Sequence, residues 1–325
     1  MRLRWLPLIA ITDGRAPGCF QHPPDPLPWA TMKHVGLLVA ASVVTILLWA
    51  AGPVRAQEAG GTEPPPRVWT LAPSSHFYPL YLADPRRAQS ALLFMEPLST
   101  DIPESDALRV AIRLGGRFPI LRVHPAGEPD RGWQLDFLGG FLGQFDSHHS
   151  LDNIGWDGLY GLLVTYKPRP TLGFRFGVLH DSAHVGDEYE ERTGRRRLGY
   201  TREELVAGAA WQVHQAWLVY GEVGHMYNEV KPFQEPMRLQ AGAQYEGGAI
   251  PFGPRLPWYA AVDLTSFEEN DWRVTTTAQL GVMVPVGDGD NRYRFALEVG
   301  DGRSELGEFF FDDDTYVALG WYFDF

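Results

Sequence analysis

Cysteine is almost missing from this chain. There is one, Cys19, in a stretch that reads as removed before folding. A chain without thiols excludes a disulfide framework, a cysteine-ligated zinc site and thiol catalysis. Basic residues are also in short supply. With 28 Lys and Arg against 40 Asp and Glu, the formal net charge is −12, the wrong sign for a nucleic-acid partner. Beyond residue 56 no apolar run is long enough to make a membrane helix.

What is present begins with an export signal. Lys33 and His34 form a short basic start, Val35 to Gly52 is an almost unbroken apolar run, and Val54-Arg55-Ala56 ends it with small residues at the cleavage positions. Residues 32–56 are therefore expected to be a signal peptide, cut after Ala56. A true transmembrane helix is the alternative, because the run is about long enough to span a bilayer. Residues 1–31 carry no export logic, and Met32 is the better translation start. Removing residues 1–56 takes away five basic and two acidic residues, which leaves 23 against 38, or −15. Residues 57–68, with Pro64-Pro65-Pro66, read as a flexible leader. Residues 69–97 are a candidate plug or cap, and 98–325 the folded body.

That body alternates. Val317, Leu319, Trp321, Phe323 and Phe325 fall on one face of the last segment, and Tyr316, Ala318, Gly320, Tyr322 and Asp324 on the other. The same period of two recurs near 131–143, 157–167, 171–184, 199–213, 216–227, 237–246, 257–267, 272–284 and 291–302. With a less regular zone near 90–124 supplying two more strands, the count is about twelve, or ten without it. The expected fold is all-β, an antiparallel transmembrane β-barrel, since such barrels alternate lipid-facing and lumen-facing residues over about ten positions. A soluble periplasmic β-protein is the alternative, because sandwiches alternate too. Three features favour the barrel: aromatics near the strand ends, an aromatic-rich final strand ending at Phe325, and the export signal. The ending is similar to the signal read by the outer-membrane barrel-assembly machinery. That machinery and outer-membrane lipid are the expected partners, and the bacterial outer membrane is the expected location.

If the last strand ends in the periplasm, Lys167–Thr171, Val213–Ala216, Gly247–Pro257 and Val286–Asn291 are periplasmic connections. Asp146–Trp156, Gly186–Gly199, Asn228–Pro236, Glu268–Asp271 and Gly302–Asp314 are then extracellular. Inward positions include Arg175, Glu222, Arg238, Glu246, Asp263, Arg273, Arg294 and Glu298, a charged lumen that either braces a narrow interior or selects ions.

The run His180-Asp181-Ser182-Ala183-His184-Val185-Gly186-Asp187-Glu188-Tyr189 resembles a hallmark of the bacterial family known as domain of unknown function 1207. Thr201-Arg202-Glu203-Glu204-Leu205, Glu269-Asn270-Asp271-Trp272, Phe77-Tyr78-Pro79, Ala83-Asp84-Pro85 and the ending from Tyr293 to Phe325 are similar to it as well. The resemblance implies an exported envelope protein and no settled activity.

His180 and Ser182 share a strand face with Leu172, Phe174, Phe176 and Val178, the lipid face. A hairpin centred on Arg192-Thr193 would pair Ser182 with Glu203 and His180 with Leu205. A nucleophile, a base and an orienting carboxylate would then meet at the outer leaflet. The His-x-Ser spacing resembles outer-membrane phospholipase A and lipid A 3-O-deacylase. That resemblance makes Ser182 the nucleophile, His180 the base and Glu203 the acid. Those families carry Asn after the Ser, and this chain has Ala183. His184, Asp187 and Glu188 could instead hold a divalent cation; no other cofactor is indicated. The blander reading folds His184, Gly186, Asp187 and Glu188 into a hydrogen-bonded loop at the barrel mouth. Two functions follow: a structural, adhesive or narrow transport barrel without catalysis, and an outer-leaflet lipid hydrolase.

Overall fold

The computed structural model describes residues 65–228, 231–249, 256–286 and 291–325. The expectations for residues 1–31, the signal at 32–56, most of the leader at 57–68, and much of the connections Gly247–Pro257 and Val286–Asn291 lie outside the described residues.

A five-residue strand, β1 (Arg67–Leu71), comes first. The wall follows: β2 (Ser90–Thr100), β3 (Arg109–Pro125), β4 (Gly132–Asp146), β5 (Asp152–Arg169), β6 (Leu172–Val185), β7 (Thr201–His214) and β8 (Trp217–Met226). It continues with β9 (Met237–Ala249), β10 (Pro257–Phe267), β11 (Val274–Pro285), β12 (Arg292–Asp301) and β13 (Asp314–Asp324). Each wall strand pairs antiparallel with its neighbour, and β13 pairs back onto β2, so twelve strands close into a barrel. Closure rules out an open sandwich and settles the strand count at twelve rather than ten. The less regular zone supplies β2 and β3. One helix, α1 (Asp187–Thr193), interrupts the connection between β6 and β7.

The period-two patterning has a physical cause that the closed wall makes visible. Outward side chains are greasy and exposed: Leu319 is 66% exposed, Leu280 58% and Leu205 54%. Inward side chains are charged and buried: Arg294 and Glu298 are 0% exposed and Arg113 is 1%. This is the reverse of a soluble protein, where buried charge is rare and large apolar patches are covered. It is the arrangement a barrel adopts when hydrocarbon lies outside and every backbone group is paired within the wall. Near the short turns, Trp133 stacks on Tyr166 and Tyr245 packs between Trp217 and Trp258, forming an outward aromatic girdle.

The two ends differ. At one end β5–β6 and β7–β8 are joined by turns of two residues, 170–171 and 215–216. At the other, segments 186–200 and 302–313 fold into substantial loops. Several strand boundaries differ from expectation by a few residues, and two of the shifts change an assignment. The loop after β4 is shorter than Asp146–Trp156, because β5 already begins at Asp152. Arg273 is not a lumen residue: β11 starts one position later, and Arg273 lies at the loop rim, exposed, 2.7 Å from Asp313. The alternation read from residue 272 overshoots the ladder, which begins at Val274, by two residues.

One seam is short. β2 meets β3 through only five residue pairs, Ala91–Met95 against Arg109–Arg113. β3 then runs on alone towards the turn end, where β1 takes up its free edge at Leu121–Pro125. Between these contacts the Phe325 ring lies over Gly116, where a Cβ would meet ring carbon at 2.4 Å.

If hydrocarbon surrounds this wall, Leu319→Arg should destabilise the refolded barrel by about 2–4 kcal/mol in lipid vesicles. Urea unfolding in vesicles measures it. A soluble protein would tolerate the same change at so exposed a site with a loss of no more than about 0.5 kcal/mol.

Candidate functional site

The first functional feature is what fills the lumen. After β1 the chain turns inward, and Tyr78, Tyr81, Leu82, Ala83, Asp84, Arg87, Ala88 and Gln89 are buried within the barrel. No strand periodicity marks this plug, because its residues are held by the wall and by a few contacts of their own, with no regular ladder. The Tyr81 ring stacks on Tyr220 of β8 at 3.5 Å and shares a 2.7 Å hydrogen bond with the Tyr78 hydroxyl. Arg175 of β6 lies over both plug rings. Gly242 makes room for Tyr220, whose ring would lie 2.2 Å from an added Cβ.

Ion pairs fix the plug. Arg87 reaches Asp84 at 2.8 Å and Glu222 at 2.9 Å. Arg86 pairs with Asp157 at 3.0 Å and with Asp181, and donates to the Glu305 carbonyl. Glu222 is the hub, accepting from Arg87, Arg175 and Arg238. Asp263 accepts from Tyr220 and Gln240, Glu298 pairs with Arg113, and Arg294 pairs with Asp324. Glu246 sits at the turn-end mouth, paired with Arg292 at 2.9 Å. These lumen residues form one connected network, apart from Arg273. Sequence reasoning did not single out Arg86, Arg87 and Asp84 as its centre; two adjacent arginines soon after Tyr78 and Tyr81 were the available signal.

The loop end is closed by a lid. Gly186 caps α1, and an added Cβ there would lie 1.6 Å from the Asn153 carbonyl oxygen, so only glycine fits. Asp187 and Glu188 occupy the first helical turn, Asp187 pairing with Arg197 at 2.8 Å. Tyr189 is buried, donates to the Pro103 carbonyl and packs edge-on against Phe309. The segment 302–313 folds inward, with Glu305 on Arg113 at 2.8 Å and Glu308 accepting from the Leu198 and Tyr200 amides. Burial pushes the Glu305 carboxyl above its ordinary range, against the pull of Arg113. His184 stacks on Trp156 at 4.2 Å and does not converge with Asp187 and Glu188. Among the described residues no group of three metal-ligating side chains is placed to hold an ion.

The second feature is on the outer wall near the loop end. His180 pairs directly with Glu203 across the β6–β7 ladder, and Ser182 pairs with Thr201. The expected register, Ser182 on Glu203 and His180 on Leu205, is off by two residues. The reason is α1: the connection is a folded helix, so its midpoint does not set the pairing. The corrected register brings base and acid together, with His180 Nδ1 3.5 Å from Glu203 Oε1. The imidazole stacks on Tyr160 at 4.4 Å. Burial, and then the neighbouring Glu203 carboxylate, pushes the Tyr227 phenol up. Ser182 is not held by His180; its hydroxyl donates to the Gly158 carbonyl at 3.4 Å. Gly158 opposite it leaves a notch in the wall, bounded by Ser182 and Trp156. The next amide, Ala183, donates to Tyr200 at 3.0 Å, so it is not available to an oxyanion.

The hub predicts an asymmetry. Glu222→Ala leaves three guanidinium groups short of their shared carboxylate and should cost about 3–5 kcal/mol in urea unfolding. Glu246→Ala, at the wetter mouth, should cost no more than about 1 kcal/mol.

Outer membrane phospholipase A from Escherichia coli is 13% identical, covering 73% of this chain and 90% of that one with a TM-score of 0.49. LpxR from Salmonella typhimurium is 11% identical, covering 73% of this chain and 100% of that one with a TM-score of 0.37. The KdgM porin is 10% identical, covering 72% and 99% with a TM-score of 0.38. No curated protein matches the sequence. The family model described as protein of unknown function (DUF1207) matches residues 62–325, and the chain belongs to that family.

Proposed function

We propose that this protein is exported through a signal at residues 32–56 and cut after Ala56. Assembly machinery reading the strand that ends at Phe325 then inserts it into the bacterial outer membrane. There it serves as a closed barrel that works at its surfaces and conducts nothing along its axis. The long loops face outward and the short turns face the periplasm. The observation that carries this reading is the plug: Arg86 and Arg87 tie it to Asp157, Asp181 and Glu222 on three different strands. Such pairs hold firmly, since removing one partner strands a buried charge. A transport path would have to break several of them at once.

Planar-bilayer recording tests it. The wild-type protein should give no steady current, and the double variant Arg86→Ala/Arg87→Ala should give fluctuating steps as the plug loosens. Stable porin-sized conductance from the wild type would sink the reading.

A second reading is favoured by the contact between His180 and Glu203. In it the outer wall is an outer-leaflet lipid hydrolase. Glu203 orients the imidazole once its 3.5 Å contact with Nδ1 closes to a hydrogen bond, leaving Nε2 for the Ser182 hydroxyl as that group rotates away from Gly158. Ser182 Oγ attacks the ester carbonyl while His180 takes its proton, and the leaving alkoxide departs with that proton. Water then attacks the acyl-serine with His180 as base, releasing the fatty acid and restoring the hydroxyl. Esterase assay of refolded protein in detergent decides: Ser182→Ala should remove at least about 100-fold of the rate. Wild-type and Ser182→Ala proteins of equal activity would dismiss the hydrolase and leave the closed barrel untouched.

A further inference from the structure

Between the plug and the short turns lies a cavity of about 680 Å³, open at the turn end. Its size is that of a small-molecule site. One wall is greasy, with Phe77, Leu80, Leu172, Leu218 and Met283. The charged groups on the other side are unequal. Glu246 and Asp324 line the cavity, but Arg292 sits on both, at 2.9 and 3.0 Å, and Arg294 also takes Asp324. Both carboxylates are thereby neutralised.

Arg117 is different. Its Nη1 donates to the carbonyls of Tyr78 and Pro79, at 2.7 and 3.4 Å. Those are neutral acceptors. Among the described residues no carboxylate lies within ion-pair distance of it, whereas Arg86, Arg87, Arg109, Arg113, Arg175, Arg202, Arg238 and Arg294 inside the barrel all have one. Its Nε and Nη2 have no protein acceptor among the described residues, and the side chain lines the cavity. Two further cations stand near the greasy wall, Arg122 at 4.1 Å and Lys167 at 5.5 Å from the Phe77 ring centroid, with Arg122 donating to Gln134 and Ser75. Asp136 acts on Arg117 only from beyond ion-pair distance and is itself taken by Gln134 and His76, so the arginine meets the cavity with no carboxylate directly on it. A guanidinium edge with two free donors suits an oxyanion.

We propose that this vestibule binds a single-chain organic anion, with a carboxylate or phosphate monoester head on Arg117 and an apolar tail against Phe77, Leu80 and Leu218. The site is independent of the outer-wall residues and of any conductance.

Isothermal titration of the refolded barrel in non-ionic detergent tests it, using hexanoate and hexyl phosphate against hexanamide and acetate. These probes are short enough to stay out of the micelles. The two tailed anions should bind at least tenfold tighter than hexanamide, and the tighter of them assigns the head group. Arg117→Gln should abolish that preference and Arg117→Lys should keep part of it, with heat-modifiable migration confirming that each variant folds. In the wild type alone, hexanamide binding as tightly as hexanoate overturns the anion site. Acetate binding as tightly as hexanoate overturns the tail.

Discussion

Burying a guanidinium is costly unless an anion and hydrogen bonds are buried with it, and this barrel is organised by that cost. Glu222 shows it most directly, since one carboxylate serves Arg87 from the plug, Arg175 from β6 and Arg238 from β9. Desolvating so many charges is costly, and the cost is offset only when geometry and hydrogen bonds are complete. Arginine suits the task better than lysine. Its planar fork meets carboxylates on two edges and stacks on Tyr78, Tyr81, Tyr259 and Tyr322 at the same time. The composition follows: 25 of the 28 basic residues are Arg and three are Lys. The lumen is thus a lattice in which plug, wall and lid hold each other's charges.

Much of the wall could be read from sequence, and for a definite reason. Hydrocarbon outside and charge inside impose a strict period of two, so Val317 to Phe325 and Trp258 to Leu264 announce their faces without any tertiary knowledge. The span 257–267 coincides with β10. β1 escaped notice because five residues, with only β3 as partner, leave no period to see. Arg273 was misplaced for the opposite reason, the pattern continuing formally where the ladder had stopped.

The sites were less legible. Alternation placed His180, Ser182 and Glu203 on the outer wall but could not fix which residue faces which. That depended on seven residues of helix within the β6–β7 connection. The plug was harder still. Its conformation is dictated by partners as remote as Glu222 and Asp181, and nothing in the local spacing of Asp84, Arg86 and Arg87 reveals them. The His184 to Glu188 run looked like ligand chemistry because it is rich in polar groups. Its groups serve a helix start and a stacked ring, and Gly186 is there because the chain passes so close to Asn153.

The order of elements along the chain carries a last implication. The plug precedes every wall strand, yet it ends enclosed by all of them, and enclosure is completed only when β13 zips onto β2. The lumen that holds Tyr78 to Gln89 exists only once the wall has closed. The N-terminal segment and the inner carboxylates thus complete one another, the plug acting as a mandrel that fixes the bore of the cylinder around it.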